Sequence, residues 1–243
     1  MKQTLYDMAR ELGQAENLGD PGQLIGNDDD LWSQFLQQAH RAGELLLNYD
    51  WQFLKREVTS YTTVADERQF SLIDDAGPMD SSFVRICNST FWDLTRKLQV
   101  WGPASDQDWQ FLRAFVGSRA VFYYKIFDNV MHFRPAPPAG HSLTWLWICN
   151  KYVSRTVDGN EVRDSRFASD SDTVLFQDEL FKLAWLRCWR EVKGFDWKTL
   201  QAELDAKAIK LIAADSTKPD LPFDSYGFMG MSPGILVAGI PTS

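Results

Sequence analysis

Apolar residues near the start of the chain recur at helical spacing. Those from Leu5 to Leu12 lie three or four positions apart, which predicts a short helix ending near Gly13. A second helix is predicted from about Leu31 to Asn48. The acidic run Asp28 to Asp30 precedes it, and we interpret this run as an N-cap rather than a metal site, because consecutive residues at a helix start do not converge on one ion.

The hydrophobic pattern changes to a period of two after Trp51. The runs Val58–Val64 and Arg68–Ile73, separated by a polar turn at Ala65–Glu67, predict a hairpin. A capping box at Ser105 to Asp108 predicts one short helix, which carries Trp109, Leu112 and Phe115. Further strands are predicted at Phe83–Cys87, Leu98–Trp101, Val121–Phe127, Val130–Arg134 and Ser142–Tyr152. Because alternating and continuous apolar stretches are mixed, we favour an antiparallel sheet or small sandwich over a parallel sheet.

Polar residues dominate from Ser154 to Thr173, and we interpret this segment as a solvated loop or lid. A long helix is then predicted from about Val174 to Lys193, capped by Asp172 or Thr173 and ended by Gly194. Its apolar residues cover a wide arc, so it requires neighbours on several sides. Another amphipathic helix follows and completes a helical hairpin.

The chain changes character beyond Asp215, where prolines and glycines interleave and no charged side chain follows Asp224. Apolar residues without charge would be exposed to water there, so we predict an extended arm that docks on another subunit. The alternative is that this segment folds back on its own body. The residues predicted to contact a partner are Phe181, Trp185, Trp189, Tyr226, Phe228, Met229, Met231, Ile235, Leu236, Val237 and Ile240.

These segments together predict an α+β fold, with a helical bundle from both chain ends, an antiparallel β-rich insertion and an extended C-terminal arm. The predicted boundaries are 1–50 for the N-terminal helices, 51–153 for the β-rich insertion with one short helix, 154–173 for the polar loop, 174–214 for the C-terminal helical hairpin and 215–243 for the Pro/Gly-rich arm. A chain of 243 residues is long enough to bury such a core without disulfides or a metal.

The charge balance is acidic, with 33 Asp and Glu against 25 Lys and Arg and a net charge of −8. This balance disfavours nucleic acid as the main ligand, because phosphate neutralisation needs a basic surface. The aromatic content of 14% suits a chain that packs against other chains. Cys87, Cys149 and Cys188 stand far apart in apolar segments, so buried inert thiols and a reducing compartment are predicted. No apolar run approaches the length of a membrane span.

Catalytic signatures are sparse. Of the three histidines, His40 is expected near the solvent side of the second helix, while His132 and His141 flank a proline turn on opposite faces. None has a cysteine or carboxylate at ligand spacing, so no metal site is predicted. The chain lacks a G-x-S-x-G elbow, a Walker A loop and a G-x-G-x-x-G turn. We therefore predict no catalytic residue and no cofactor.

Paired carboxylates need no local motif, so a glycosidase-like site built from Asp170 with Asp172 or Glu179 stays open as an alternative. These residues stand directly before an apolar helix, where oxygen-bearing side chains are the expected caps. The structural interpretation is therefore favoured.

Several short motifs follow one another along residues 1–214. They are Asp50-Trp51-Gln52-Phe53-Leu54, Asn88-Ser89-Thr90-Phe91-Trp92-Asp93 with Arg96, Trp101-Gly102-Pro103, Trp109, Phe133-Arg134-Pro135-Ala136-Pro137-Pro138-Ala139-Gly140-His141, Tyr152, Phe167, Asp170 to Thr173, and Glu179 to Lys193 leading to Gly194-Phe195-Asp196. In this order and spacing they resemble the small head-to-tail adaptor (connector) proteins of tailed bacteriophages, particularly the podovirus type. The segment beyond Asp215 lies outside the matched part.

The resemblance implies a structural protein of the virion, made in the cytoplasm of the host bacterium. Such a protein forms a ring, usually a dodecamer, beneath the phage portal and receives the next tail or nozzle protein below. DNA passes through the lumen without specific binding, and no membrane is involved. An acidic lumen would not trap the passing genome.

Two other functional classes stay open. The first is a peptidoglycan hydrolase carried in the virion, which would use a carboxylate pair for glycan cleavage. The second is a free-standing binding module unrelated to virions.

Overall fold

The computed structural model of the chain describes residues 2–72, 77–114 and 121–215. Its helices are α1 (Leu5–Ala15), α2 (Asp30–Leu46), α3 (Asp106–Ala114), α4 (Asp178–Lys193) and α5 (Lys198–Asp215). Its strands are β1 (Lys55–Thr62), β2 (Arg68–Ser71), β3 (Phe83–Ile86), β4 (Trp92–Asp93), β5 (Leu98–Gln99), β6 (Tyr123–Phe127), β7 (Val130–Arg134), β8 (Ser142–Cys149), β9 (Val153–Val157), β10 (Asn160–Asp164) and β11 (Thr173–Val174).

Helices α1 and α2 begin at side-chain caps. The Thr4 hydroxyl accepts the backbone N–H of Asp7 at 3.1 Å. The Asp29 carboxylate accepts the backbone N–H of Leu31 at 2.8 Å. Each bond satisfies an N–H that has no partner within its helix. The acidic cap predicted for α2 is confirmed.

Two predicted helix ends are wrong. Gly13 does not end α1, which continues to Ala15. A β-carbon at Gly13 would lie 2.6 Å from the Trp32 ring, so glycine is needed there for the close approach of α1 to α2. Helix α4 begins at Asp178, after Gln177, rather than at about residue 174. The predicted end of α4 at Gly194 is confirmed, with a left-handed φ of +75°.

The strands form three antiparallel sheets among the described residues. The largest has the order β1-β8-β4-β5, with β3 also paired to β8. The second has the order β2-β7-β6, and the third has the order β10-β9-β11. The antiparallel arrangement predicted from the mixed apolar pattern is confirmed.

The hairpin predicted from residues 58–73 is wrong. Strand β1 pairs with β8, and β2 pairs with β7 in another sheet. The rings of Tyr61 on β1 and Phe70 on β2 both pack against Trp145, at 6.1 and 5.5 Å between centroids. The apolar faces of the two strands thus meet across two sheets. Alternating hydrophobicity indicates a buried face but not whether the neighbouring strand lies beside it or opposite it.

The polar segment from Ser154 to Thr173 was expected to be a loop, and this expectation is also wrong. Strands β9 and β10 form an antiparallel hairpin there, and β11 pairs with the other edge of β9. Asp158 and Gly159 have φ values of +51° and +80°, as the turn of a two-residue hairpin requires. The predicted turn is present, and the strand that follows it, β10, is an exposed edge strand, which explains its polar side chains.

The predicted fold class is corrected as well. The protein is a mixed α/β structure with antiparallel sheets, not a helical bundle from both chain ends with a β-rich insertion. Of the five α-helices in the described residues, α3 lies in the middle of the chain, and α4 and α5 lie towards its C-terminal end. The N-terminus of α1 is bonded to the chain before β11, where Leu5 N–H donates to the Asp172 carbonyl at 2.7 Å.

Helices and strands share a single hydrophobic core, so the helices do not form a separate bundle. Buried side chains of helices and strands belong to one continuous cluster. Phe176, just after β11, packs on Trp51 at 5.7 Å and on Phe181 of α4 at 6.4 Å. Neither the helices nor the strands could bury these rings alone. The predicted C-terminal arm lies outside the described residues.

Candidate partner-binding groove

A short extended segment, residues 101–104, lies along β6 and forms the floor of a surface groove. Trp101 N–H donates to the Phe122 carbonyl at 2.9 Å, and Tyr124 N–H donates to the Trp101 carbonyl at 2.8 Å. Ala104 N–H donates to the Tyr124 carbonyl at 2.9 Å. These bonds satisfy the backbone of the segment and hold it against the sheet.

Gly102 permits this close approach. A β-carbon at this position would lie 2.5 Å from the carbonyl oxygen of Tyr124 and 2.7 Å from its ring. Its φ of +154° also belongs to a region that L side chains rarely adopt. Glycine is therefore required for the path of the groove floor.

Helix α3 forms the wall of the groove. The Ser105 hydroxyl accepts the backbone N–H of Asp108 at 3.0 Å and donates to its carboxylate at 2.7 Å, so Ser105 caps the start of α3 as predicted. Trp109 is buried beneath the helix, with its ring 5.7 Å from that of Phe127. Asp106 forms an ion pair with Lys125 of β6, which fastens the start of α3 to the sheet.

The groove has a volume of about 410 Å³, and three of its eight lining residues are aromatic. Phe111 is 56% exposed, whereas its neighbour Leu112 is buried. Trp101 and Tyr123 are half-buried. The principal lining residues are Trp101, Pro103, Asp108, Phe111, Leu112 and Tyr123. Exposed aromatic rings beside one carboxylate suit a ligand that combines flat apolar groups with a positive charge.

Sequence reasoning did not identify this groove. It placed Trp109, Leu112 and Phe115 on the short helix; the first two lie on α3 and are buried, whereas Phe115 lies outside the described residues. The sequence feature that could have indicated the groove is Phe111, an aromatic residue away from the apolar stripe of α3. A large ring on the polar face of a helix often contacts a partner.

The histidines occupy separate environments. His141 Nδ1 lies 2.8 Å from the Asp93 carboxylate, which is almost fully buried. The same carboxylate accepts the backbone N–H groups of Thr95 and Arg96, so it stabilises the turn between β4 and β5. His132 packs edge-on against the Phe127 ring at 5.6 Å.

His40 is half-buried on α2, 5.4 Å from the Phe167 ring, rather than on the solvent side. Burial lowers its pKa. Within residues 2–72, 77–114 and 121–215, no group of three or more His, Cys, Asp or Glu side chains is placed to hold a metal ion.

The candidate catalytic carboxylates have structural partners. Asp170 accepts the backbone N–H groups of Leu24 and Ile25 at 3.0 and 2.8 Å, which fixes the loop before α2. Asp172 is buried and accepts two backbone N–H groups of the preceding loop at 2.8 and 3.0 Å. Glu179 forms an ion pair with Lys182 at 2.6 Å. Asp170 and Asp172 therefore hold loops rather than cap α4 as predicted.

The predicted contact residues on α4 lie inside the protomer. Phe181, Trp185 and Trp189 are at most 2% exposed. Phe35 of α2 packs on the rings of Trp185 and Trp189 at 4.6 and 5.0 Å. The wide apolar arc of α4 thus faces neighbours from its own chain, and these rings offer no surface to a partner. The remaining predicted contact residues, Tyr226, Phe228, Met229, Met231, Ile235, Leu236, Val237 and Ile240, lie outside the described residues.

The cysteines match the prediction of buried thiols. Cys87, Cys149 and Cys188 are free and buried. Burial raises the pKa of Cys87 and of Cys188, which disfavours the reactive thiolate.

In the part of the chain that the structure describes, no helix has both the length and the apolar character needed to cross a membrane. No protein-family model matches the chain, and no curated protein matches it either.

Proposed function

We propose that this chain is a structural head-to-tail adaptor of a tailed bacteriophage. In this proposal, copies of the chain form a ring beneath the portal protein and join it to the next tail protein. The ring surrounds a passage for DNA. The chemistry is that of protein–protein assembly rather than catalysis.

The aromatic groove beside β6 carries the proposal. Most of the large aromatic side chains in the described residues are buried, yet Phe111 is 56% exposed in a groove that Trp101 and Tyr123 also line. Scattered exposed apolar side chains are ordinary on a protein surface, but several rings around one concave site are typical of a partner-binding surface. A permanent assembly would cover the exposed part of these rings.

Two further observations support the proposal. The motifs that resemble the adaptor family extend over residues 1–214. The net charge of −8 suits a ring through which DNA passes without binding, because like charges repel along the passage. The carboxylates that a glycan hydrolase could use, Asp170 and Asp172, are bonded to backbone N–H groups of loops, so they give the hydrolase alternative no support.

Co-sedimentation of the purified chain with the portal protein of the same phage tests the proposal. The wild-type chain should form a large complex with the portal. Phe111→Ser should weaken that complex or prevent ring closure, whereas Phe195→Ser, a similarly exposed phenylalanine in the turn after α4, should not. Persistent separation of the wild-type chain and the portal would overturn the proposal.

A peptidoglycan-clearing assay addresses the hydrolase alternative directly. The adaptor proposal predicts no clearing by the purified chain. Clearing that Asp170→Asn or Asp172→Asn abolishes, in a variant that keeps the wild-type melting temperature, would favour the hydrolase instead.

A further inference from the structure

We propose that the aromatic groove binds residues 218–222 of a second copy of the chain, the sequence Lys-Pro-Asp-Leu-Pro. This inference rests on the proposed function, since it requires copies of the chain to assemble. It identifies the ligand of the groove as a proline-containing segment that begins with a positive charge.

The spacing of the two prolines suits the groove. Pro219 and Pro222 stand three positions apart. A polyproline II helix has three residues per turn, so residues at this spacing project from the same face. Grooves lined by aromatic rings bind proline-rich segments in this conformation. Phe111, Trp101 and Tyr123 provide the rings that such a segment would contact.

One charge of the segment, that of Lys218, is complementary to the groove, whereas Asp220 lies on a different face of a polyproline II helix from the two prolines. Lys218 directly precedes the first proline and is the only basic residue after Lys210. Asp108 lies in the groove lining and is exposed. A cation at one end of the segment would therefore meet a carboxylate at one side of the groove, which sets the direction in which the segment binds.

The segment and the groove belong to different parts of the protomer. Helix α5 packs chiefly against α4, whereas the groove is built on β6, whose partner strand is β7. Only residues 216–218 separate the end of α5 from Pro219. An extended link of this length reaches about 14 Å at most. A neighbouring copy can place its groove at the end of α5. If this contact is repeated around a ring, every groove is occupied by the segment of a neighbouring copy.

Fluorescence anisotropy with a labelled peptide of residues 215–224 tests the contact. The receptor is the full chain carrying Pro219→Ala and Pro222→Ala, so that its own segment does not compete. Phe111→Ser in this receptor should lower the affinity at least about tenfold. Phe195→Ser is the matched control and should leave the affinity unchanged.

A peptide with alanine at both proline positions should bind at least about tenfold more weakly than the wild-type peptide. Absence of binding by the wild-type peptide would overturn the inference, and so would equal losses in the Phe111 and Phe195 variants.

A mixing experiment distinguishes exchange between copies from binding within one chain. The groove variant, Phe111→Ser, keeps its segment, and the segment variant, Pro219→Ala with Pro222→Ala, keeps its groove. Each variant should remain monomeric alone in sedimentation velocity. Their mixture should form a dimer, because the intact groove of the segment variant can bind the intact segment of the groove variant, whereas the reverse contact is lost. A mixture that stays monomeric at concentrations that saturate the peptide would overturn the exchange.

The portal experiment is independent of this result. Failure of peptide binding together with a stable portal complex would refute the groove assignment alone. Dimer formation in the mixture without any portal complex would refute the adaptor function while leaving the contact intact.

Discussion

Replacement of Gly102 by alanine tests how the groove is built. The new β-carbon would lie 2.5 Å from the carbonyl oxygen of Tyr124 and 2.7 Å from its ring. An ordinary contact is about 3.5 Å or longer, so the segment would have to move by about 1 Å. That movement would strain the hydrogen bond from Ala104 N–H to the same carbonyl, now 2.9 Å.

The expected cost combines two effects. Overpacking costs about 1–3 kcal/mol. A non-glycine residue at the φ of +154° costs about another 1–3 kcal/mol. Gly102→Ala should therefore lower the free energy of unfolding by about 2–6 kcal/mol. It should also weaken peptide binding, because the floor of the groove would be displaced.

Gly140→Ala is the matched control. Gly140 has a φ of +86°, but a β-carbon there would have no neighbour within 4 Å. Only backbone strain should therefore destabilise Gly140→Ala, and it should lower the free energy of unfolding by about 1–3 kcal/mol. Urea denaturation with intrinsic tryptophan fluorescence measures both variants. Equal stability losses in the two variants, or wild-type peptide binding by Gly102→Ala, would refute the close packing of the segment on β6.

Three further predictions concern the body of the protein. Gly43→Ala should lower the free energy of unfolding by about 1–2 kcal/mol despite its better helix propensity, because the β-carbon would lie 2.1 Å from Cζ of buried Tyr152. Asp172→Ala should lower it by about 1.5–3 kcal/mol in urea denaturation, because two backbone N–H groups of the preceding loop lose a buried, charged acceptor. Burial and a hydrogen bond to Asp205 raise the pKa of Tyr49 to about 12. Its stabilising contribution should therefore be complete below pH 10 and decline as the pH rises towards 12.

Each of these predictions has its own control. Gln37→Ala, on the exposed face of α2, should leave stability nearly unchanged, and a similar result for Gly43→Ala would contradict the contact with Tyr152. Asp172→Asn keeps an acceptor and should be less damaging than alanine; equal losses would argue against the loop hydrogen bonds. For Tyr49, the wild type minus Tyr49→Phe difference in unfolding free energy should shrink above pH 10, and a constant difference would refute the assignment.

Local chemistry made several features predictable. The stripe from Leu5 to Leu12 predicted α1, and the acidic run before α2 predicted its cap, because helix periodicity and capping depend on residues only a few positions apart. Gly194 marked the end of α4 for the same reason. The groove depended on more than local pattern: the sequence predicted Trp101 at the end of a strand and a short helix after Ser105, but not the packing of both beside β6.

By itself, the sequence determined the helix stripes, the turn residues, the burial of the cysteines and the antiparallel character of the strands. Only the tertiary structure decided that β1 pairs with β8, where Lys55 faces Ile148, and that Trp185 and Trp189 pack on Phe35 rather than on a partner. An apolar stripe indicates that a surface must be buried, but the residues that bury it lie far away in the chain. Helices and strands share one core here because no single element buries its own aromatic rings.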